Sequence, residues 1–103
     1  MNKLQSTDEL LKRLQQGENI NLVDVREDDE WEDGHIPQAR HVAMSRLQDS
    51  MDELQADSGT IWLICRSGAR SGRVSDYLNA IGYDAVNVEG GMLAWEGEVV
   101  QGR

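Results

Sequence analysis

The 103 residues carry 39% hydrophobic and 28% charged side chains, the composition of one ordinary soluble globular domain spanning residues 1–103. Nineteen acids against ten bases leave a net charge of −9. That argues against nucleic acid and anionic membranes as partners, since both require a basic surface. The longest apolar run, Ile61 to Cys65, is far too short to cross a bilayer. The amino-terminal stretch Met1-Asn-Lys-Leu-Gln-Ser6 lacks the apolar core of a secretory signal, so a cytoplasmic location is expected unless an export signal has been removed.

Taken in chain order, short apolar runs alternate with amphipathic segments. Ser6-x-x-Glu9 reads as a capping box opening a helix that carries Leu10, Leu11 and Leu14 and stops at Gly17. Asn21 to Val25 is a short strand. Ser45-x-x-Gln48 reads as a second capping box, followed by Leu47, Met51 and Leu54 on one helical stripe that ends near Asp57-Ser-Gly59. Thr60 to Ile64 is apolar without alternation, as expected for a strand covered on both faces. Val74, Tyr77, Leu78 and Ile81 form a further helical stripe closed by Gly82. Ala85 to Val88 is another strand, and Gly90 to Trp95 a short terminal helix. Strands alternating with helices imply right-handed crossovers and a mostly parallel sheet with helices on both faces. The fold class is α/β.

Chemistry is expected at the carboxyl ends of the strands. Cys65 stands there, at the end of the most hydrophobic strand. It is the chain's only cysteine, so an internal disulfide is impossible, and with only His35 and His41 beside it no zinc site or other metal site is expected. The loop Cys65-Arg-Ser-Gly-Ala-Arg70 leads into the next helix. Small residues at Ser67, Gly68 and Ala69 let it curl until several backbone N–H groups point at one centre, to which the helix adds its positive end. Such a cradle stabilises a thiolate and lowers the thiol pKa. Arg66, Arg70 and Arg73 lie in or just after the loop, and arginine suits forked contacts to an oxyanion. A cysteine ending a strand is often inert packing; the strand–loop–helix context and these arginines favour a reactive one.

Loop length separates two chemistries. Cysteine phosphatases use Cys-x5-Arg, which here would place the arginine at residue 71, a serine. The spacing to Arg70 is one residue shorter, too small for phosphate and suited to one extra sulfur on the cysteine. Elsewhere, Asp24 and Arg26 are expected to serve structural ion pairing, Arg26 with Glu30. Six acids in the seven residues Glu27 to Asp33 read as a solvated helical turn anchored by Trp31, since nothing there repeats calcium-loop spacing. His35 and His41 read as local hydrogen-bonding residues around Pro37, and Trp62 and Trp95 as packing.

The chain resembles the single-domain form of the rhodanese family. Cys65 to Arg70 is similar to that family's six-residue active-site loop. Asp24-Val-Arg-Glu27 with Glu30-Trp-x-x-Gly34-His-Ile-Pro37 and Ala39 resembles its amino-terminal signature, and Gly90-Gly-x-x-Ala94-Trp95 its carboxy-terminal one. Gln38 departs from the family's usual glycine, at a turn far from the loop. The resemblance implies a five-stranded, mostly parallel central sheet flanked by helices, and sulfurtransferase chemistry. Cys65 would be catalytic, taking a sulfane sulfur from thiosulfate or a similar small anion as a persulfide and passing it to cyanide or a thiol. Arg66, Ser67, Gly68, Ala69 and Arg70 would bind the donor, without metal or organic cofactor. The same loop would also serve a persulfide carrier between a protein sulfur donor and a protein acceptor. A phosphatase or arsenate reductase is disfavoured by the loop length.

Overall fold

The computed structural model describes residues 3–54 and 59–102. Its five strands are β1 (Leu4–Ser6), β2 (Asn21–Asp24), β3 (Arg40–His41), β4 (Ile61–Ile64) and β5 (Ala85–Glu89). They form one sheet in the order β1-β5-β4-β2-β3, with every pairing parallel. The α-helices are α1 (Thr7–Gln15), α2 (Asp28–Asp33), α3 (Ala69–Ala80) and α4 (Gly91–Ala94), and a 3-10 segment runs over Met44–Leu54. The expected α/β class and parallel sheet are found.

Burial explains the central strands. All four residues of β4 are buried, and they alternate between two cores. Ile61, Leu63 and Cys65 pack with Val23, Val25, Leu47, Val74 and Leu78 under α3 and the 3-10 segment. Trp62 and Ile64 pack with Leu10, Leu22, Ile36, Val86 and Val88 on the α1 face. An uninterrupted apolar strand is what two covered faces require.

The edge strands were not visible in the residue pattern. β1 is three residues that run straight into the α1 cap, and β3 is the polar pair Arg40–His41. Both are too short to show any periodicity. The α1 cap is found: Ser6 Oγ accepts the Glu9 N–H at 2.9 Å. The second expected capping box is not. Ser45 donates its hydroxyl to Glu27 at 2.7 Å, and the segment that follows is a 3-10 helix interrupted at Ser50, not an α-helix. Its expected end near Asp57-Ser-Gly59 falls largely outside the described residues.

Helix α3 begins at Ala69, inside the expected loop. Its buried face differs from the expected stripe. Val74 and Leu78 are buried, but Tyr77 and Ile81 are exposed. Ser71, Gly72 and Ser75 complete the inner face. Small residues let α3 lie close to β5: a Cβ on Gly72 would stand 3.2 Å from the Asn87 amide nitrogen.

Candidate active site

Cys65 directly follows β4 and is 1% exposed, so a reacting group must enter the loop to reach its sulfur. Its Sγ accepts the Gly68 N–H at 3.1 Å and lies 3.4 Å from the Ser71 amide and 3.2 Å from the Ser71 hydroxyl. Gly68 is the N-cap of α3 with φ +102°, a conformation that glycine adopts without Cβ strain and that turns its N–H inward. Burial pushes the Cys65 thiol up, but the Ser71 hydroxyl and the amides of Ser71, Gly68 and Ser67 together outweigh it. The thiol pKa therefore falls below its ordinary value. The amino end of a twelve-residue helix adds its field in the same direction.

The two loop arginines differ. Arg70, in the first turn of α3, makes a forked pair with Glu30 of α2 at 2.6 and 2.8 Å. The Arg70 bond holds the Glu30 carboxyl down at about 2, against a smaller opposing effect of burial. Arg66 is exposed and forms no ion pair among the described residues. Ser67 and Ala69 are exposed beside it, with Gly68 half-buried between them. The expected Arg26–Glu30 pair is thus replaced. Glu30 belongs to Arg70, and Arg26 turns to Asp24, its Nη2 donating to the carboxylate at 2.8 Å and to the Gly34 carbonyl at 2.7 Å. Asp24 is fully buried, so this pair is structural: it ties the end of β2 to the end of α2.

Ser71, Asn87 and Gly91 complete the site and did not emerge from the loop motif. Asn87 of β5 donates through Nδ2 to the Gly68 carbonyl at 3.0 Å and accepts the Ser71 hydroxyl at 2.6 Å. One signal was present in the sequence: Asn87 is a polar interruption in the apolar run Ala85 to Val88, and a buried amide needs partners. Gly91 lets the β5–α4 turn pass under the loop, because a Cβ there would stand 2.3 Å from the Cys65 carbonyl oxygen. From that position Met92 donates its N–H to Cys65 O at 2.8 Å, and Leu93 to Arg66 O at 3.0 Å. The carboxy-terminal Gly-Gly signature therefore anchors the active loop from below.

The histidines engage backbone carbonyls and the Trp31 ring, and neither bonds the Cys65 sulfur. His35 bonds the Trp31 carbonyl at 2.8 Å and His41 the Arg26 carbonyl at 2.7 Å, and both rings stack on Trp31. They fix the connection around Pro37, as expected. Trp62 is buried and Trp95 packs against the same core.

The class this defines is an α/β domain with a cysteine cradled by backbone amides at the carboxyl end of the central strand of a parallel sheet. The family of rhodanese-like domains matches residues 6–98, and the chain belongs to it. YtwF of Bacillus subtilis (strain 168), which carries a provisional sulfurtransferase name, is 47% identical over 93 residues, covering 90% of this chain and 89% of YtwF. A sulfurtransferase of Allochromatium vinosum is 38% identical over 90 residues, covering 86% of this chain and 83% of that protein. The crystal structure of a rhodanese-like domain protein from Staphylococcus aureus matches with a TM-score of 0.88 at 38% identity, over 98% of this chain and 99% of that one. Among the described residues no helix is long and apolar enough to cross a membrane.

Proposed function

We propose that the protein is a sulfurtransferase that takes the outer sulfur of thiosulfate onto Cys65 and delivers it to cyanide or to a thiol. The observation that carries this reading is the Cys65 sulfur at the centre of the loop amides, with its pKa lowered. In the first step the Cys65 thiolate attacks the sulfane sulfur. A bond forms from Sγ to that sulfur, the sulfur–sulfur bond of thiosulfate breaks, and its electron pair leaves with sulfite. In the second step cyanide or a thiolate attacks the outer sulfur, and the pair of the breaking Cys65–sulfur bond returns to Sγ. Splitting the transfer into two displacements is covalent catalysis and gives ping-pong kinetics.

The loop supplies fixed dipoles where charge develops: Gly68 and Ser71 amides toward Sγ, with Ser67 and Ala69 forming the exposed part of the rim. Arg66 holds the sulfonate of the donor. Arg70, engaged by Glu30, braces the loop against α2 and contributes its charge at longer range. Neither step requires a metal or an organic cofactor.

Intact-mass measurement after thiosulfate exposure tests the reading. The wild type is expected to gain one sulfur atom, cyanide to remove it with release of thiocyanate, and Cys65→Ser to do neither while keeping its fold. A wild type that stays unmodified in thiosulfate would overturn thiosulfate as donor. Loading from a protein persulfide under the same conditions would make the domain a relay carrier instead.

A further inference from the structure

The Ser71 hydroxyl has two acceptors and one proton. Its Oγ lies 3.2 Å from Cys65 Sγ and 2.6 Å from Asn87 Oδ1, and a hydroxyl donates a single hydrogen bond. Turning the Asn87 amide over does not resolve the conflict. Its Nδ2 donates to the Gly68 carbonyl at 3.0 Å, and the flipped amide would set two carbonyl oxygens against each other. Ser71 is fully buried and Asn87 is 5% exposed, so bulk solvent does not supply a second donor.

The proton's position must therefore follow the charge on the sulfur. With Cys65 as a thiol, S–H donates to Ser71 Oγ, Ser71 donates to Asn87, and every group is paired. With Cys65 as a thiolate, Sγ needs a donor, and the Ser71 proton turns toward it. Asn87 Oδ1 is then left buried without a donor, which opposes ionisation. We propose that Asn87 is a positioning residue that competes with Cys65 for the Ser71 proton and so holds the thiol pKa above the value the loop alone would set. On the sulfurtransfer reading above, the hydroxyl turns to Asn87 once the persulfide forms and Sγ is neutral. It turns back as Sγ becomes the leaving thiolate. Only the O–H rotates; no bond to hydrogen breaks and no electron moves.

The charged groups around the sulfur do not depend on Asn87. They are Arg70 at the start of α3 with its partner Glu30 on α2, Arg66 in the loop, and the Asp24–Arg26 pair at the end of the neighbouring β2. On β5 the nearest is Glu89, which is exposed, and α4 carries none.

The test is the pH profile of Cys65 alkylation by iodoacetamide, which reports thiolate without any sulfur donor and so stands independently of the sulfurtransfer reading. Asn87→Leu removes the competing acceptor while keeping the number and branching of side-chain heavy atoms, and should move the midpoint down by about one pH unit, a tenfold gain in thiolate below it. Ser71→Ala should move it up. In the double variant Asn87→Leu should have no further effect if the competition for the hydroxyl proton, and not the Asn87 bond to the Gly68 carbonyl, sets the thiol pKa. Asn87→Ala, which places less bulk beside Gly72, carries the same two readouts. A midpoint that rises or stays fixed in the folded Asn87 variants, or a shift that persists without the Ser71 hydroxyl, would overturn the proposal.

Discussion

Arg66 and Arg70 share one short loop, yet their guanidinium groups face opposite situations. Arg70 spends its fork on Glu30, at 2.6 and 2.8 Å, while Arg66 is exposed and unpaired among the described residues. On the proposed sulfur transfer, a free fork in a protein of net charge −9 is the group suited to draw an anionic donor to the cysteine. Arg66→Ala is therefore expected to raise the KM for thiosulfate by about tenfold and to lower kcat much less, the signature of lost uniform binding. Added salt should weaken wild-type saturation in the same direction through screening. Steady-state kinetics of thiocyanate formation at two ionic strengths check both; an unchanged KM would leave Arg66 without a role in donor binding. At this scale the amide surroundings of Cys65 were legible, because small residues after a cysteine at a strand end let the loop curl until its N–H groups face the sulfur. Ser71 and Asn87 were not, since hydrogen bonding between side chains 16 residues apart leaves no local pattern. The partner of Glu30 was misassigned to Arg26 for the same reason: Arg70 stands 40 residues away in sequence and only the fold brings it there.

Among the elements, the turn from β4 into α3 is the one on which the proposed chemistry rests. Gly68 serves this turn in three ways, as the left-handed cap of α3, as a donor to Cys65 Sγ at 3.1 Å and as the acceptor of Asn87 at 3.0 Å. Inserting a glycine after Gly68 lengthens the Cys65–Arg70 loop by one residue. The change in loop-closure entropy is small, so the fold should survive. The amides of Gly68 and Ser71 can no longer both point at Sγ while Met92 and Leu93 hold the start of the loop at the Cys65 and Arg66 carbonyls. Sulfur transfer should fall by at least ~10²-fold, the scale for misplacing reacting groups by about an ångström. Parallel assays of sulfur transfer and of aryl phosphate hydrolysis, with circular dichroism to confirm folding, check this; full activity in the folded insertion variant would mean that loop size does not select the chemistry. The legible elements were those with a hydrophobic period or a short apolar run, namely α1, β2, β4, α3, β5 and α4. Strands β1 and β3 take their identity from backbone pairing with a neighbour, over three and two residues respectively. The 3-10 segment places Leu47 and Leu54 in the core as an α-helix would, so the spacing of its apolar residues could not distinguish the two.

Across the whole molecule, the parallel sheet gathers the ends of β2, β4 and β5 at one side, and the Arg70–Glu30 pair ties α2 to the first turn of α3, just after the loop that follows β4. An excess of acids means that lowering the pH from neutral relieves self-repulsion as carboxylates protonate. Glu30 works against that trend. Its carboxyl titrates at about 2 rather than 4.5, chiefly because Arg70 donates to its charged form. Arg70 remains cationic throughout, with its own pKa raised by the same contact. A carboxyl whose pKa is lower folded than unfolded contributes stability that is complete above 4.5 and lost as the pH falls toward 2. Glu30→Gln keeps the shape and one acceptor oxygen but removes the titrating charge. Wild type should exceed this variant by about 1–2 kcal/mol at neutral pH, the scale of a charge-assisted hydrogen bond reduced by partial exposure. The difference should shrink below pH 4.5 and vanish near 2. Urea unfolding of both proteins across that range checks the sign as well as the size. A difference that stays constant with pH would mean that shape, and not charge, holds α2 against the active loop; one that grows on acidification would reverse the assignment of Glu30 as the depressed group.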